Sequence, residues 1–531
     1  MQVPDGIDTA GRAALPRQEG TARLLLLALF IVALLPLAIT PVLPLIDLYN
    51  HIFRFDVLSR LASDPLLVAN YTPQWALLPN IGLDVIAAGL LKFVPATWLP
   101  HIIVGLIFLT MFGGVVAFNR ALTGRASPLP ALLVLPLLYS WILNWGFVNF
   151  LLGLGLVFVG AAAWLHLRDR TALRLAVAIP AAVLIFLCHG VAFALYGLLI
   201  AALELGHWLR QRPRRPASLM QALGMCLVQA VLPVMLFFAS PTVGAAGGLT
   251  NADETVARLW AAGGLAQKLQ QLLFYRLETM VRVAEGPGFG VDALWLAGVL
   301  ALLLWLWRSR LIDVPAMAWP AIGVGALLVL FCPPALFGVG AVADRMPLFL
   351  ALLLVGSLRP AIGLRAGNPA VIGLAVLVAV RLVSIAVQWH GTAADLADLD
   401  RVAARLPPAQ LITGFAPGAT PHQDVPLRCD MYPHVLALRH RQIMPLFAFR
   451  TAQPITMAGR LARADAIADA QVPPLRKAGG QPVRIVEAFA AAGFDYVLLC
   501  QVSEHDVLPT TSFPLVAQAG RFRLLRLAPE R

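Results

Sequence analysis

Long apolar stretches separated by short polar segments fill most of the first 390 residues of the chain. A helix needs about 20 apolar residues to cross the hydrocarbon core of a bilayer. The pattern therefore predicts eleven membrane-spanning helices, at residues 22–43, 98–118, 128–143, 147–167, 173–188, 190–209, 218–240, 291–307, 314–333, 346–359 and 367–388. No small-residue cleavage site follows Pro41, so the first stretch is predicted to remain as a signal anchor.

Arginines are distributed unevenly between the short loops that connect these helices. If the N-terminus is cytoplasmic, the short loops on the other side carry only Arg345. The cytoplasmic loops then carry Arg120, Arg125, Arg168, Arg170, Arg174, Arg210, Arg212, Arg214, Arg215, Arg308, Arg310, Arg359 and Arg365. Cytoplasmic loops are enriched in Lys and Arg. The pattern predicts a multi-pass inner (plasma) membrane protein with a cytoplasmic N-terminus.

This orientation predicts how the chain is organised. Residues 1–21 form a cytoplasmic tail, and 22–389 form a transmembrane domain with outer loops at 44–97 and 241–290. Residues 390–531 form a terminal domain on the outer face, periplasmic or extracellular. Residues 81–94 are too short to span and contain two charged residues, which favours an interfacial or re-entrant helix.

The terminal segment differs from the rest in composition, with 15 Lys and Arg and 12 Asp and Glu after Trp389. Short apolar runs at 410–415, 496–500 and 522–527 predict strands, and 393–406 and 485–492 predict helices. The prediction is a mostly α-helical membrane protein ending in a small α/β or α+β domain.

Composition agrees with this organisation. Hydrophobic residues make up 59% of the chain and charged residues 13%, against about 45–50% and about 25% in soluble domains. A soluble enzyme, a disordered scaffold and a secreted disulfide scaffold are thereby excluded. Five scattered cysteines contain no CxxC pair. The net charge of +12 reflects the basic cytoplasmic loops, so we expect a lipid bilayer as partner and no nucleic acid.

Three polar clusters fall on the predicted outer face. The first follows span one, where Asp47, Asn50, His51 and Arg54 share one face of a predicted helix. Such a set can activate a hydroxyl and hold a phosphate. The alternative is an amphipathic helix lying among the headgroups with a solvated polar face. Asp47 favours function, because an unpaired carboxylate so close to a span is costly.

The second cluster lies at the turn between spans three and four, with Trp141, Asn144 and Asn149. Aromatic residues at this depth commonly form an interfacial belt, which we favour for the tryptophans. The two asparagines are candidates for binding a sugar or phosphate.

The third cluster joins His189 with Asp344 and Arg345. The alternatives there are a histidine that caps a helix and a local ion pair.

Weaker candidates complete the set. Arg381 interrupts an apolar span, which predicts either a cavity-facing phosphate ligand or a side chain that snorkels outward. A loose group of His and Asp in the terminal segment matches no closed zinc pattern: His422, Asp424, Asp430, His434 and His440. The sequence contains no P-loop, no dinucleotide-binding glycine motif after a strand and no HExxH.

This architecture resembles the GT-C superfamily of integral-membrane glycosyltransferases. The carriers of the resemblance are the anchor 22–43, the acidic Asp47 just after it, a long first outer loop with helices at about 49–63 and 81–94, and the outer terminal domain. The stretch Asp47–Arg54 (DLYNHIFR) looks like the first-loop motif of bacterial members. Unlike many members, the chain has no second acid beside Asp47, and it lacks the WWDxG motif of oligosaccharyltransferases.

The resemblance implies a mechanism. A polyprenyl-phosphate sugar enters from the outer leaflet, and Asp47 acts as general base on a hydroxyl of a glycan, lipid or protein acceptor. Donor phosphate binding is assigned to His51, Arg54, His189, Arg345 and Arg381, and acceptor or sugar binding to Asn50, Asp84, Trp141, Asn144 and Asn149. No cofactor is required, although a divalent metal is compatible.

Two other functions remain open at this stage. A transporter or flippase for a lipid-linked saccharide would place polar residues at the bilayer midplane, often in paired repeats, whereas here they gather at the outer surface. A non-catalytic assembly protein of envelope polysaccharide machinery would use the terminal domain as a binding module.

Overall fold

A computed structural model describes residues 9–125, 127–240, 264–284, 288–336, 339–361, 364, 366–416, 429–446, 453–477, 482–500 and 512–528. Most of these residues are helical. The helices are α1 (Thr9–Ile39), α2 (Leu48–Arg60), α3 (Pro65–Val68), α4 (Gly82–Leu90), α5 (Leu99–Thr123), α6 (Pro128–Leu138), α7 (Trp141–Asn144), α8 (Val148–His166), α9 (Thr171–Cys188), α10 (Gly190–Arg210), α11 (Pro216–Ala239), α12 (Leu265–Val281), α13 (Phe289–Arg308), α14 (Trp319–Phe331), α15 (Val342–Gly356), α16 (Pro369–His390), α17 (Thr392–Ala403), α18 (Tyr432–His440), α19 (Gly459–Lys477) and α20 (Pro482–Ala492).

Every predicted span coincides with a helix, although the number that cross the membrane stays a prediction. Within the described residues, seven helical stretches are long and apolar enough to cross a bilayer: Leu99–Thr123, Val148–His166, Thr171–Cys188, Gly190–Arg210, Pro216–Ala239, Phe289–Arg308 and Pro369–Ala403. Three shorter apolar helices occur at Arg23–Ile39, Pro128–Asn144 and Ala316–Phe331. Helix α15 carries the remaining predicted span.

The segments predicted to lie outside meet at one end of the helical bundle. The Ile46 amide donates to the Asn144 carbonyl at 3.0 Å, so the first outer loop contacts the turn before α8. The Asn80 amide donates to the Leu187 carbonyl at 3.1 Å, which brings the same loop to the end of α9. The Tyr275 hydroxyl in α12 donates to the Asp344 carboxylate at the start of α15.

The predicted cytoplasmic loops meet at the opposite end. Asn119 near the end of α5 donates to the carbonyls of Gly356 and Leu358, at 3.0 and 2.7 Å. The short strands β2 (Ile312–Asp313) and β3 (Arg359–Pro360) pair antiparallel there. The two sets of loops therefore separate as the arginine pattern predicts, and the cytoplasmic assignment of this end stays a prediction.

The terminal segment contains a four-stranded mixed sheet. Its strands are β4 (Ile412–Phe415), β6 (Tyr496–Cys500), β7 (Leu515–Ala519) and β8 (Phe522–Arg526), in the order β4-β6-β8-β7. Strand β4 is parallel to β6, and the other pairs are antiparallel. The predicted strands and helices of this segment are confirmed with small shifts at their ends. A disulfide between Cys429 and Cys500, which the sequence pattern did not predict, closes onto β6.

The terminal segment packs directly on the first outer loop. Strand β1 (Tyr71–Pro73) of the loop pairs antiparallel with β5 (Ile455–Met457) of the terminal segment. The Tyr71 hydroxyl donates to the Met444 carbonyl at 2.7 Å and accepts from the Met444 amide at 3.2 Å. Helix α2 also packs against α18, where Phe53 meets His434 edge to face. The loop and the terminal segment therefore lie on the same side.

Candidate functional site

The first part of the candidate site is the junction between span one and α2. The amides of Ile46 and Asp47 donate to the carbonyls of Asn144 and Trp145, at 3.0 and 3.1 Å. Gly146 allows this approach, because a Cβ there would lie 2.6 Å from the Leu48 nitrogen, and its φ of +81° favours glycine. The backbone of the first cluster is thus bonded to that of the second.

The Asp47 carboxylate is part of a small polar network. It accepts from the Asn50 amide at 3.3 Å and lies 3.3 Å from His51 Nε2. The side chain is 31% exposed, so solvent or a ligand can reach it. Burial works to raise the pKa of Asp47, but His51, Asn50 and the charge of Arg54 outweigh it and keep the pKa below its ordinary value.

Arg54 and Asp84 form an ion pair with each other. Arg54 Nε and Nη2 donate to the two Asp84 oxygens at 2.8 and 3.0 Å, and both side chains are buried. The sequence assigned Arg54 to a donor phosphate and Asp84 to an acceptor. The geometry argues against both assignments, because each charge is already neutralised by the other and the pair joins α2 to α4.

Arg345 is the cationic centre of the site. It is 4% exposed, and its guanidinium carbon lies 4.6 Å from the ring centroid of Phe147 and 5.2 Å from that of Phe150. Its Nε and Nη1 are buried and make no hydrogen bond within the described residues. Among the described residues no ion pair involves Arg345, and the carboxylate that acts on it electrostatically is that of the adjacent Asp344. Its neighbour Asp344 instead accepts from Tyr275.

His189 lies beside Arg345, as the third predicted cluster requires. Its ring meets Phe150 edge to face at 5.4 Å, on the same aromatic ring that faces the guanidinium. The Val191 amide donates to His189 Nδ1 at 3.1 Å, which caps the start of α10. The capping alternative is therefore observed. The same hydrogen bond sets the tautomer of the neutral ring, because Nδ1 accepts and the proton is then on Nε2.

A pocket lies beside Trp141 of the second cluster and Asp344, the chain neighbour of Arg345. Trp141 lines it together with Tyr275, Thr279, Arg282 and Asp344, and it encloses about 590 Å³ of empty space, including part of its mouth. Sequence reasoning missed Tyr275 and Thr279, although the amphipathic pattern of residues 265–285 marks their helix.

Two polar groups of this cluster have unused hydrogen-bonding capacity. Trp141 Nε1 and Asn149 Oδ1 are buried and make no hydrogen bond within the described residues. Asn144 is also buried, and its carbonyl holds the Ile46 amide. Trp141 and Trp145 lie with ring centroids 5.4 Å apart. An interfacial belt alone does not explain a buried indole N–H without an acceptor.

Arg381 lies apart from these groups. It pairs with Asp292 at 2.6 Å, both side chains are 2% exposed, and its guanidinium carbon lies 5.0 Å from the ring centroid of Trp295. The pair joins α16 to α13 within the bundle. The ion pair with Asp292 accounts for a buried arginine within an apolar helix without a bound phosphate. Sequence reasoning missed Asp292 as its partner.

The two described histidines of the loose His and Asp group in the terminal segment lie in separate surroundings. His434 is buried against Phe53, and His440 lies 3.2 Å from Asp400. His422, Asp424 and the side chain of Asp430 lie outside the described residues. Across the described ranges, no three His, Cys, Asp or Glu side chains lie together as metal ligands.

Comparison with solved structures finds four similar chains, two of which are described here. The crystal structure of ArnT from Cupriavidus metallidurans bound to undecaprenyl phosphate is similar over 96% of this chain and 99% of that chain, with 15% identity and a TM-score of 0.49. The cryo-EM structure of the arabinofuranosyltransferase AftD from Mycobacteria is similar over 96% of this chain and 40% of that chain, with 15% identity and a TM-score of 0.37.

No protein-family profile matches the chain, and no curated protein matches it. At these TM-scores and this identity, the two structural likenesses identify neither the activity nor the ligand of this chain.

Proposed function

We propose that the chain is a membrane glycosyltransferase of the GT-C type that uses a polyprenyl-phosphate sugar as donor. The acceptor is a hydroxyl of a glycan, lipid or protein on the outer face of the inner membrane. The resemblance of the first loop to GT-C enzymes and the gathering of polar groups at one end of the bundle support this function.

The proposal depends mainly on the buried guanidinium of Arg345. Leaving buried hydrogen-bond donors of a charged group unpaired costs free energy, and Nε and Nη1 of Arg345 have no hydrogen-bond partner among the described residues. A lipid phosphate at this position would add a negative charge beside the guanidinium and accept hydrogen bonds from both nitrogens. A guanidinium suits this task, because its donors form a planar fork that matches phosphate oxygens.

His189 would assist Arg345. Its Nδ1 is held by the Val191 amide, so its Nε2–H is the donor that remains for a phosphate oxygen. A neutral donor beside a guanidinium adds a hydrogen bond without adding charge repulsion. Together the two side chains would stabilise the negative charge that develops on the leaving phosphate.

Asp47 and His51 would serve the acceptor. In a single displacement, the acceptor oxygen bonds to the anomeric carbon while the bond from that carbon to the phosphate oxygen breaks. The hydroxyl proton passes to the base, the configuration at the anomeric carbon is inverted, and polyprenyl phosphate leaves. A carboxylate with a lowered pKa is a weak base, so Asp47 alone is suited to orientation as much as to proton transfer.

The His51 ring offers a second route for the proton. Its Nε2 faces Asp47, and its Nδ1 is buried without a hydrogen bond in the described part of the chain. In an Asp–His pair of this kind, the imidazole takes the proton and the carboxylate holds the ring in its orientation. The proposal therefore assigns the base to the Asp47–His51 pair, with Asn50 as a positioning residue.

The sugar would occupy the pocket beside Trp141. Sugars present both apolar faces and hydroxyl groups, and the pocket combines the indole of Trp141 with the polar groups of Tyr275 and Thr279. Trp141 Nε1 would gain a hydrogen bond that it lacks among the described residues.

The test uses full-length protein in detergent with a panel of polyprenyl-phosphate sugars, and measures release of polyprenyl phosphate. Asp47→Asn should lower the rate by about 10²–10⁴ without changing abundance or thermal unfolding. Separately, Arg345→Gln should weaken binding of radiolabelled polyprenyl phosphate by at least about tenfold, the loss of one charged hydrogen bond. Arg308→Gln, an exposed arginine at the other end of the bundle, is the control.

Two results would contradict the proposal. If Asp47→Asn retains full activity, the Asp47–His51 pair is not the base. If Arg345→Gln binds polyprenyl phosphate as well as Arg308→Gln does, the buried cation does not hold the donor. Movement of a fluorescent lipid-linked saccharide across proteoliposomes, without sugar transfer, would instead identify a flippase.

A further inference from the structure

A second pocket lies at the opposite end of the bundle from the candidate site. It lies between the start of α9, the end of α10 and the start of α11, and it encloses about 560 Å³ of empty space, including part of its mouth. Its polar lining includes Arg168, Arg174, Glu204, His207, Gln211 and Ser218. Nothing in the proposed transfer reaction uses these side chains.

The inner wall of this pocket carries more positive than negative charge. Glu204 Oε1 accepts from Trp164 Nε1 at 2.8 Å and from Arg168 Nη2 at 3.0 Å, and it also accepts from Arg174. One carboxylate therefore faces two guanidinium groups, which leaves one positive charge in excess. His207 lies on the same wall.

The side chains of Arg174 and Arg168 differ in how firmly their contacts hold them. Arg174 is fixed: its guanidinium carbon lies 3.6 Å from the Trp164 ring centroid, and its Nε donates to the Trp164 carbonyl at 2.8 Å. Arg168 is 22% exposed, and its buried Nε makes no hydrogen bond within the described residues. Arg168 is therefore the side chain with a donor left for a ligand.

The pocket adjoins a surface suited to acyl chains. Helix α11 contributes Leu219, Ala222 and Met225 to the pocket wall. Its outer surface presents large apolar side chains such as Met220 and Leu227, which are 73% and 68% exposed. In a membrane-spanning helix such a face contacts lipid. A phosphate in the pocket and hydrocarbon chains along α11 would lie next to each other.

We propose that this pocket binds the phosphate of an anionic phospholipid of the inner leaflet, with Arg168 as the main donor. Basic pockets between transmembrane helices on the cytoplasmic side suit anionic headgroups, and the arginine pattern predicts this end to be cytoplasmic. A guanidinium holds a phosphate through two parallel hydrogen bonds. The site is separate from the proposed donor site at the other end of the bundle.

The experiment is native mass spectrometry of the full-length protein in detergent, with phosphatidylglycerol or phosphatidylcholine added at equal concentration. The wild type should retain phosphatidylglycerol selectively. Arg168→Gln should weaken that retention by about tenfold, the loss of one hydrogen bond to a charged group. If Arg168→Gln does not fold, Arg168→Lys keeps the charge but loses the fork, and a smaller, about threefold, loss is expected.

Matched controls decide between sources of the phosphate. Arg308→Gln removes an exposed arginine at the same end but outside the pocket, and it should leave retention unchanged. Equal losses in both variants would overturn the proposal, because lipid attraction would then come from diffuse surface charge. Displacement of the lipid by an equal concentration of inorganic phosphate would also overturn it, since the pocket would then be a site for free phosphate.

Discussion

The guanidinium of Arg54 and the carboxylate of Asp84 face each other across the first outer loop. Two hydrogen bonds of 2.8 and 3.0 Å join them, and both side chains are buried. Helices α2 and α4 are thereby held together, 30 residues apart in the chain. The same helix α2 begins beside Asp47, so the pair helps to fix the position of the candidate base.

The Arg54–Asp84 pair predicts a large effect on stability. Asp84→Asn leaves a buried guanidinium without its counter-charge and should lower the free energy of unfolding by about 3–5 kcal/mol. The measurement is unfolding of the full-length protein in mixed micelles. Asp313→Asn is the matched control, because the Asp313–Arg359 pair is exposed and should be worth about 0–1 kcal/mol. Equal effects would show that the loop does not depend on this pair.

The lowered pKa of Asp47 predicts the pH dependence of activity. In the folded protein this carboxylate stays ionised above its ordinary pKa of 3.8, and it becomes protonated only as the pH falls through the lowered value. Its contribution to stability is present above the ordinary pKa and is lost over that same acidic range. If Asp47 takes the proton, kcat/KM should not fall on the acid side until the pH is below about 4.

The same profile distinguishes the two members of the pair. Loss of the acid limb in His51→Gln would assign proton transfer to the imidazole and leave Asp47 as the residue that orients it. Asn50→Ala is the comparison, because it removes one hydrogen bond from Asp47 and keeps both members of the pair.

Tyr71 predicts how firmly the terminal segment is held. Its buried hydroxyl both donates to and accepts from Met444. Tyr71→Phe removes both bonds and leaves two buried backbone groups unpaired, which should cost about 2 kcal/mol. Hydrogen exchange should become faster in β1 and β5. Tyr496→Phe is the control, because the Tyr496 hydroxyl makes no hydrogen bond within the described residues, and unchanged exchange in Tyr71→Phe would contradict the assignment.

The disulfide predicts the sidedness of the terminal segment. Disulfides persist in oxidising compartments and are rare in the cytosol. Maleimide labelling of denatured protein from intact membranes should therefore detect three thiols, Cys188, Cys226 and Cys332, and five after reduction. A Cys429→Ser/Cys500→Ser double variant should give three in both cases. Five thiols before reduction would place the segment in the cytoplasm.

Hydrophobic patterning by itself determined the helices and the two groups of loops. Apolar stretches of membrane length can only be helical in a bilayer, since every backbone polar group must be satisfied internally. Arginine counts separated the loops because short cytoplasmic loops are enriched in Lys and Arg. The residues Asp47, His189 and Arg345 could be singled out because each is a polar group beside a long apolar stretch.

The tertiary structure alone decided which charges are neutralised. Sequence made Arg54, Arg345 and Arg381 equivalent candidates for phosphate. In the fold, Arg54 faces Asp84 and Arg381 faces Asp292, whereas Arg345 lies among aromatic rings and forms no ion pair among the described residues. The partners are 30 and 89 residues away. Whether a buried charge is neutralised depends on which opposite charges the whole fold brings within about 4 Å of it. The local sequence around each arginine does not contain that information.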